Sequence, residues 1–307
     1  MKIGITSGDP SGIGPEIILK SMSNFKDITI FANHNILKKT AGDLKLGPQY
    51  HNIKDRIIDC GRSVKFQYGK PTQETAKAAM ASIDCALDHK PDILITPPIV
   101  KEAVRMLIPG FIGHTEYLAQ FYSVKNYAML GLLKEKRIML LTTHIPISEV
   151  FRKIKSDAVF QKIVFLAWGL KRYFGIARPC LAVSALNPHA FEFSKGEDEE
   201  ILKGLLRARI KGVKVHGPYP ADSLFNRDFD GFLAMYHDQA FIYLKSSKGG
   251  LNFTLGLPII RVSPLHGAAL DIAGKNVADF SGMITAVKQG IRLVKNSQKF
   301  KVGTVYL

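Results

Sequence analysis

The chain has 307 residues, of which 46% are hydrophobic and 22% are charged, and its formal net charge is +16 at pH 7. This composition is typical of a folded protein that is long enough for more than one hydrophobic core. The longest apolar run, 163–170, is well short of the roughly 20 residues that a membrane-spanning helix needs. The N-terminus also lacks the apolar segment of a secretory signal, so we expect a cytoplasmic protein with no membrane partner.

The positive charge raises the question of a nucleic-acid partner. The lysines are spread along the chain with no run longer than a pair, and aromatic residues do not alternate with them as in an RNA-binding sheet. We therefore expect no nucleic acid as partner and favour an anionic small molecule. The three cysteines, Cys60, Cys85 and Cys180, have no CxxC spacing, and such a sparse, odd set is typical of free thiols in a reducing compartment.

Short apolar runs that indicate buried strands alternate with amphipathic runs that indicate helices. This β/α alternation is typical of a layered α/β fold with a mostly parallel sheet. The predicted strands are 2–6, 27–32, 92–96, 137–143, 180–186, 214–216, 231–236 and 259–262, and the predicted helices are 15–22, 72–88, 156–173 and 280–294.

The first predicted strand leads directly into a glycine-rich turn, GDPSGIGPE, at 8–16. Its glycines allow a sharp turn and close approach of a ligand, and Pro15 suits the first turn of a helix. The spacing matches neither the GxGxxG fingerprint nor the Walker motif. A tight strand-to-helix turn and a ligand-binding loop therefore both remain open for this segment.

Three histidines, His144, His189 and His237, each follow a predicted strand. Ligands of open α/β sheets bind at the carboxyl ends of strands, and three imidazoles there form the donor set of a catalytic metal site. Any one of them alone would more ordinarily be structural, but the three together predict a metal site. Neutral imidazoles suit zinc first, with cobalt, nickel, manganese or magnesium as alternatives. Asp238 and Asp222 are nearby carboxylates that could orient a ligand or transfer a proton.

Other polar residues lie at predicted strand ends and helix starts. Lys101 follows the strand 92–96, and His114 with Thr115 begins a helix, where free N–H groups favour a carboxylate or phosphate. Arg261 ends an apolar strand, and its planar fork suits the same anions. Each also has a simpler explanation: a solvent-facing lysine, a helix cap and a structural ion pair.

Nine segments in order resemble the 4-hydroxythreonine-4-phosphate dehydrogenase family, the PdxA family of vitamin B6 synthesis. They span residues 8–275 and are GDPSGIGPE, TPPIVK, GHTEYLA, TTHIP, LNPHAFE, GPYPAD, YHDQ, NFTLGLPIIR and HGAALDIAGK. The resemblance implies a fold like that of isocitrate and isopropylmalate dehydrogenases, with two α/β domains, an active site in the cleft between them and a homodimer whose sites both subunits line. We expect an NAD-binding domain from 1–104 plus 240–307 and a metal, substrate and dimerisation domain from 105–239.

The same resemblance implies roles for individual residues. The metal ligands are expected at His144, His189 and His237. The substrate contacts are expected at His114, Thr115, Lys245, Asn252 and Arg261, and Asp238, Lys101 and Asp222 are candidates for proton transfer. The HGAALDIAGK segment resembles the adenosine-binding loop of the wider superfamily, which implies that His266, Gly267, Asp271 and Gly274 contact the cofactor.

The implied reaction is oxidation of 4-phosphooxy-L-threonine by NAD or NADP, followed by decarboxylation to 3-amino-2-oxopropyl phosphate. TPPIVK departs from the commoner forms of its loop, and the segment between Lys245 and Asn252 is short. These differences leave open a sister dehydrogenase that acts on another phosphorylated hydroxy acid, such as a threonate or erythronate phosphate. The three histidines by themselves would also allow a metal-dependent hydrolase or lyase that uses no NAD.

Overall fold

The computed structural model describes residues 1–61 and 63–300. The chain forms two compact units. The first unit consists of Met1–Lys125 and Leu257–Ile291, and the second consists of Asn126–Gly256 and the segment that begins at Arg292. The boundaries between the two units therefore fall near 125, 256 and 291, whereas the domain boundaries expected from the sequence lie near 104 and 239. The binding roles expected for the two domains stay predictions.

Strands and helices alternate along most of the described chain. The strands are β1 Ile3–Thr6, β2 Thr29–Ala32, β3 Ile57–Asp59, β4 Ile93–Ile95, β5 Ala128–Leu133, β6 Lys136–Leu140, β7 Cys180–Ser184, β8 Lys214–Tyr219, β9 Gly231–Ala234, β10 Leu251–Leu255 and β11 Ile260–Pro264. The helices are α1 Gly14–Met22, α2 His34–Asp43, α3 Gly47–Ile53, α4 Gln73–Asp88, α5 Lys101–Arg105, α6 His114–Phe121, α7 Ile147–Lys153, α8 Ser156–Phe174, α9 Glu197–Ile210, α10 Ala221–Leu224, α11 His237–Lys245 and α12 Ser281–Lys299.

The first unit is built on parallel strands in the order β3-β2-β1-β4-β11. Ile95 pairs with Ile5 on one side and with Val262 on the other, so the carboxyl ends of β1, β4 and β11 lie side by side. The loops that follow these three strands carry the glycine-rich turn, Lys101 and the segment after 264. The helix α4 begins with a capping box in which Thr72 and Thr75 exchange hydrogen bonds of 3.0 and 3.2 Å.

The second unit has the strand order β10-β5-β6-β9-β7-β8. The pairs β10–β5 and β5–β6 are antiparallel, and the remaining pairs are parallel. The strands β3, β5 and β10 were not predicted from the sequence. Within β5, Gly131 interrupts the apolar pattern. That glycine has a packing role, since a Cβ atom there would lie 2.1 Å from Leu244 Cδ1.

The predicted α/β class with mostly parallel sheets is confirmed, and each predicted strand and helix has a counterpart within a few residues. The described residues include no helix that is long and apolar enough to cross a membrane. The expectation of three free thiols is wrong for two of them. Cys60 and Cys85 form a disulfide with their Cα atoms 6.1 Å apart, because Cys60 follows β3 where that strand end approaches α4; Cys180 is free.

Candidate active-site groups in the two units

His144 and His237 lie close together in the second unit, with ring centroids 6.2 Å apart. The reason is that β6 and β9 are neighbouring parallel strands, so their carboxyl ends deliver both residues to one place. Hydrogen bonds continue the pairing beyond the strands, from Leu141 N to Ala234 O at 2.8 Å and from Thr142 Oγ1 to Met235 O at 2.7 Å. Five residues within 143–150, together with residues 236–238, line a pocket of about 270 Å³ here.

His237 is fixed by its neighbours at the start of α11. Its Nδ1 is 2.7 Å from Asp238 Oδ1, and its ring stacks on Phe241 at a centroid distance of 4.1 Å. A carboxylate at Nδ1 orients an imidazole and leaves Nε2 for a ligand. This geometry is the one expected if Asp238 orients His237 as a metal ligand.

Gln239 is a residue of this region to which the sequence analysis gave no role. Its Oε1 accepts hydrogen bonds from Met235 N at 2.8 Å and from Ser184 Oγ at 2.9 Å, and its Nε2 donates to Ala185 O at 2.9 Å. The amide therefore joins the carboxyl ends of β7 and β9. Its position two residues after His237, in the first turn of a helix, was the available signal.

His189 follows β7, and within the described residues it belongs to no group of three side chains that could hold a metal ion. It has a positive φ of 56° before a short 3-10 helix, Ala190–Phe193, and its ring is 6.1 Å from that of Phe193. The loop before it is held by α9, since Asp198 Oδ1 accepts from Leu186 N at 2.8 Å and Asp198 Oδ2 accepts from Asn187 Nδ2 at 3.1 Å. Burial raises the pKa of Asp198, although these bonds oppose the rise.

The start of α9 therefore differs from what its composition suggests. The acidic run 196–200 has the pattern of a solvated helix face, but Glu197 and Asp198 are buried. They act as anchors for the loop that carries His189. The composition of 196–200 shows only that the segment is acidic, and it does not show which groups the carboxylates contact.

The donor set fits a divalent metal in part. Two imidazoles bound to one zinc ion have ring centroids about 5 Å apart, given Zn–N bonds of about 2.0 Å. The pair formed by His144 and His237 is near this value at 6.2 Å. Within 1–61 and 63–300, no three His, Cys, Asp or Glu side chains form a group that could hold a metal ion. His189 therefore stays a predicted ligand.

Arg261 lies at the centre of a second group of predicted residues, in the first unit. It is 3% exposed, and its Nε and Nη2 donate to Thr96 Oγ1 at 3.0 and 2.6 Å. The two residues meet because β11 and β4 are paired, with Arg261 opposite Leu94. Burial lowers the pKa of the guanidinium to about 10, against the opposing effect of Glu116, so it is cationic at neutral pH.

His114 and Thr115 begin α6 beside this arginine. Burial, with the positive charges of Arg261 and Lys101, holds the pKa of His114 well below its ordinary value of 6.5. Its Nε2 is buried and has no hydrogen-bond partner among the described residues. A neutral imidazole, two cations and a helix N-terminus together form a site for an anion.

Lys101 completes this group at the start of α5. Its ammonium lies beside Gly113, the residue before α6, where a Cβ atom would be 3.5 Å from Nζ. Burial lowers the pKa of Lys101, while the negative charge of Glu116 opposes the shift. A lysine whose pKa moves toward neutrality can take part in proton transfer.

The other predicted residues of the second unit lie on three different elements. Asn252 is on β10, is 8% exposed, and its Oδ1 has no hydrogen-bond partner in the described part of the chain. Lys245 is the exposed last residue of α11, with Nζ 5.7 Å from the centroid of the Phe241 ring. Asp222 is exposed in the first turn of α10.

The predicted cofactor loop follows β11 in the first unit. His266, Gly267 and Asp271 are exposed, and a Cβ atom on Gly267 would meet no other part of the described chain within 4 Å beyond its own neighbours. Gly274 has a φ of 79°, and a Cβ atom there would be 2.6 Å from the Tyr68 ring. Gly267 would allow close approach of a ligand, and the exposed carboxylate of Asp271 could accept hydrogen bonds from ribose hydroxyls. Both features suit a dinucleotide.

Comparisons with known proteins show which family this chain resembles. The family described as pyridoxal phosphate biosynthetic protein PdxA matches residues 19–290. The 4-hydroxythreonine-4-phosphate dehydrogenase of a Sulfurihydrogenibium species is 37% identical over 318 residues, covering 95% of this chain and 98% of that protein. The D-threonate 4-phosphate dehydrogenase of Cupriavidus necator is 36% identical, covering 95% and 96%.

The crystal structure of 4-hydroxythreonine-4-phosphate dehydrogenase from Klebsiella pneumoniae has the same fold. Its TM-score with this chain is 0.80 at 30% identity, and the match covers 95% of this chain and 99% of that one. The resemblance inferred from nine ordered segments is confirmed. This chain belongs to the PdxA family of dehydrogenases of pyridoxal phosphate biosynthesis.

Proposed function

We propose that this protein oxidises and decarboxylates 4-phosphooxy-L-threonine with NAD, giving 3-amino-2-oxopropyl phosphate and carbon dioxide. The observation that carries the proposal is the buried guanidinium of Arg261, with the half-buried Lys101 near the start of α6. Two cations beside a neutral imidazole suit a substrate with a phosphate and a carboxylate. The relatives' names point to a phosphorylated hydroxy acid of this kind.

We propose that the predicted binding residues contact the substrate. Arg261 binds an anionic end of the substrate, and His114 and Thr115 supply hydrogen bonds at the start of α6. In the second unit, the buried Oδ1 of Asn252 has no hydrogen-bond partner among the described residues, which supports a ligand contact there. The family resemblance adds Lys245.

The metal site we propose consists of His144, His189 and His237, with zinc first and cobalt, nickel, manganese or magnesium as alternatives. The proximity of His144 and His237 supports it, as does the bond from His237 Nδ1 to Asp238. We further propose a cytoplasmic homodimer in which both subunits line each active site, as the resemblance implies. His266, Gly267, Asp271 and Gly274 would contact NAD, or NADP as the alternative.

When bound, the nicotinamide supplies a hydride acceptor and the cation polarises the substrate oxygen. In the oxidation, the C–H bond of the alcohol breaks as hydride leaves, and Lys101, once it has lost its own proton, takes the hydroxyl proton. In the decarboxylation, the C–C bond to the carboxylate breaks, carbon dioxide departs, and the ammonium of Lys101 returns its proton to that carbon. The lowered pKa of Lys101 supports this role. Asp238 is engaged with His237, and Asp222 stays a third candidate.

The test is NADH formation from purified enzyme with 4-phosphooxy-L-threonine, before chelation, after chelation and after zinc is added back. Metal-dependent turnover is the expected result. A second candidate, oxidation of D-threonate 4-phosphate, is favoured by the relative from Cupriavidus necator, which is nearly as similar. A higher kcat/KM for this substrate or for an erythronate phosphate would replace the first proposal.

A metal-dependent hydrolase or lyase without NAD is the alternative from another class. Titration of the purified protein with NAD and NADH, followed by fluorescence, separates the two. Saturable binding supports the dehydrogenase. A metal-loaded protein that binds neither nucleotide would favour the hydrolase or lyase.

A further inference from the structure

Glu16 and Lys20, both on α1, form a buried ion pair to which the proposed function gives no role. Lys20 Nζ is 2.6 Å from Glu16 Oε1, and the two side chains are only 14% and 2% exposed. Removing two charges from water is costly, and well-packed apolar residues in such a place are often equally stabilising. Glu16 Oε2 is also buried without a hydrogen-bond partner among the described residues. Stability alone therefore gives a weak reason for this pair.

The pair binds the backbone at the end of the predicted cofactor loop. Glu16 Oε1 accepts a hydrogen bond from Ala278 N at 2.9 Å. Lys20 Nζ donates to Asn276 O at 2.9 Å and makes a longer contact of 3.5 Å with Ala278 O. One carboxylate oxygen and one ammonium thus hold three backbone atoms of the segment 276–278.

The turn before α1 holds the beginning of the same loop. Ile13 N donates to Ala268 O at 3.0 Å. A Cβ atom on Gly12 would lie 2.7 Å from that same oxygen, so only glycine allows this approach without movement. The glycine-rich turn and α1 therefore fix both Ala268 and Ala278, on either side of the exposed Asp271.

We infer that Glu16 and Lys20 are positioning residues for the nicotinamide cofactor, acting through the backbone of 276–278. This inference rests on the proposed function, because it takes the loop 266–274 as the cofactor site. Holding a loop in its binding conformation before the ligand arrives lowers the ordering cost of binding. Loss of the pair should therefore weaken NAD binding without changing the contacts to the phosphorylated substrate.

The experiment compares Lys20→Met, Glu16→Gln and Lys20→Arg with the unsubstituted enzyme. Lys20→Met keeps the aliphatic stem and removes every contact of the ammonium, whereas Lys20→Arg keeps a cation. Lys77→Met is the matched control, because Lys77 forms an exposed pair with Glu74 on α4. The measurements are the NAD dissociation constant by titration, amide hydrogen exchange of the peptide 266–279 without ligand, and the substrate KM at saturating NAD.

We expect Lys20→Met and Glu16→Gln to raise the NAD dissociation constant about tenfold, the factor that corresponds to one lost hydrogen bond. Exchange within 266–279 should be faster, the substrate KM should be unchanged, and Lys20→Arg should restore most of the affinity. An unchanged NAD affinity in both variants, while the unsubstituted enzyme binds NAD, would overturn the inference alone. Absence of NAD binding by the unsubstituted enzyme would overturn the proposed function and the inference with it.

Discussion

Replacing Arg261 by lysine should raise the KM for the phosphorylated substrate far more than the KM for NAD. Arginine holds itself in place with two bonds from Nε and Nη2 to Thr96 Oγ1, and it is 3% exposed. Lysine keeps the positive charge but has no planar guanidinium. It therefore cannot donate hydrogen bonds to Thr96 Oγ1 and also donate two hydrogen bonds to a bound anion. Loss of one hydrogen bond to a charged group costs about 1.5–3 kcal/mol. The substrate KM should therefore rise by about ten- to a hundredfold.

The assay is steady-state NADH formation, with each substrate varied at saturation of the other. Arg207→Lys is the matched control, because Arg207 is an exposed arginine on α9 paired with Asp157. A urea denaturation curve for each variant separates a folding defect from a binding defect. Equal increases in the two KM values would refute the reasoning, because Arg261 would then not act on the substrate selectively.

Three further predictions concern single residues. The pKa of His114 is depressed in the folded protein, so the stability that its neutral form contributes is present above the ordinary pKa of 6.5 and is lost as the pH falls below that value. His114→Gln should therefore flatten this part of the pH dependence of the urea midpoint. An unchanged pH profile would contradict the depressed pKa of His114. His189→Ala should abolish turnover and lower bound zinc while leaving the denaturation midpoint unchanged; normal activity with full metal content would refute its ligand role. Gly274→Ala should destabilise the protein by about 1–3 kcal/mol, because φ at Gly274 is 79° and the new Cβ atom would meet the Tyr68 ring. Gly267→Ala should destabilise it less, because a Cβ atom there meets open space. Equal urea midpoints for the two variants would be inconsistent with this packing.

The positions of the polar residues along the chain could be predicted because each depends on local pattern. An apolar run followed by His144 or by His237 indicates a strand and its carboxyl end, and both residues do follow strands. The sequence likewise placed His114 and Thr115 at the start of a helix, and α6 does begin at His114. Such signals need no knowledge of which strands are neighbours.

Partners across the fold could not be predicted in this way. Thr96 lies far from Arg261 in sequence, and only the pairing of β4 with β11 brings the hydroxyl to the guanidinium. The disulfide between Cys60 and Cys85 and the anchoring of the His189 loop by Asp198 are of the same kind. No periodicity in the sequence reports contacts between residues of such different elements.

The sequence by itself determined the family, the α/β class and the placement of histidines beyond strand ends, because motif order and hydrophobic period are properties of the chain. The tertiary structure decided which of those groups meet. His144 and His237 are close because β6 and β9 are paired. It also decided protonation, since the low pKa of His114 arises from burial and from two cations that other elements bring to it. Burial and proximity depend on how distant segments pack, and the sequence does not specify that packing in any local pattern.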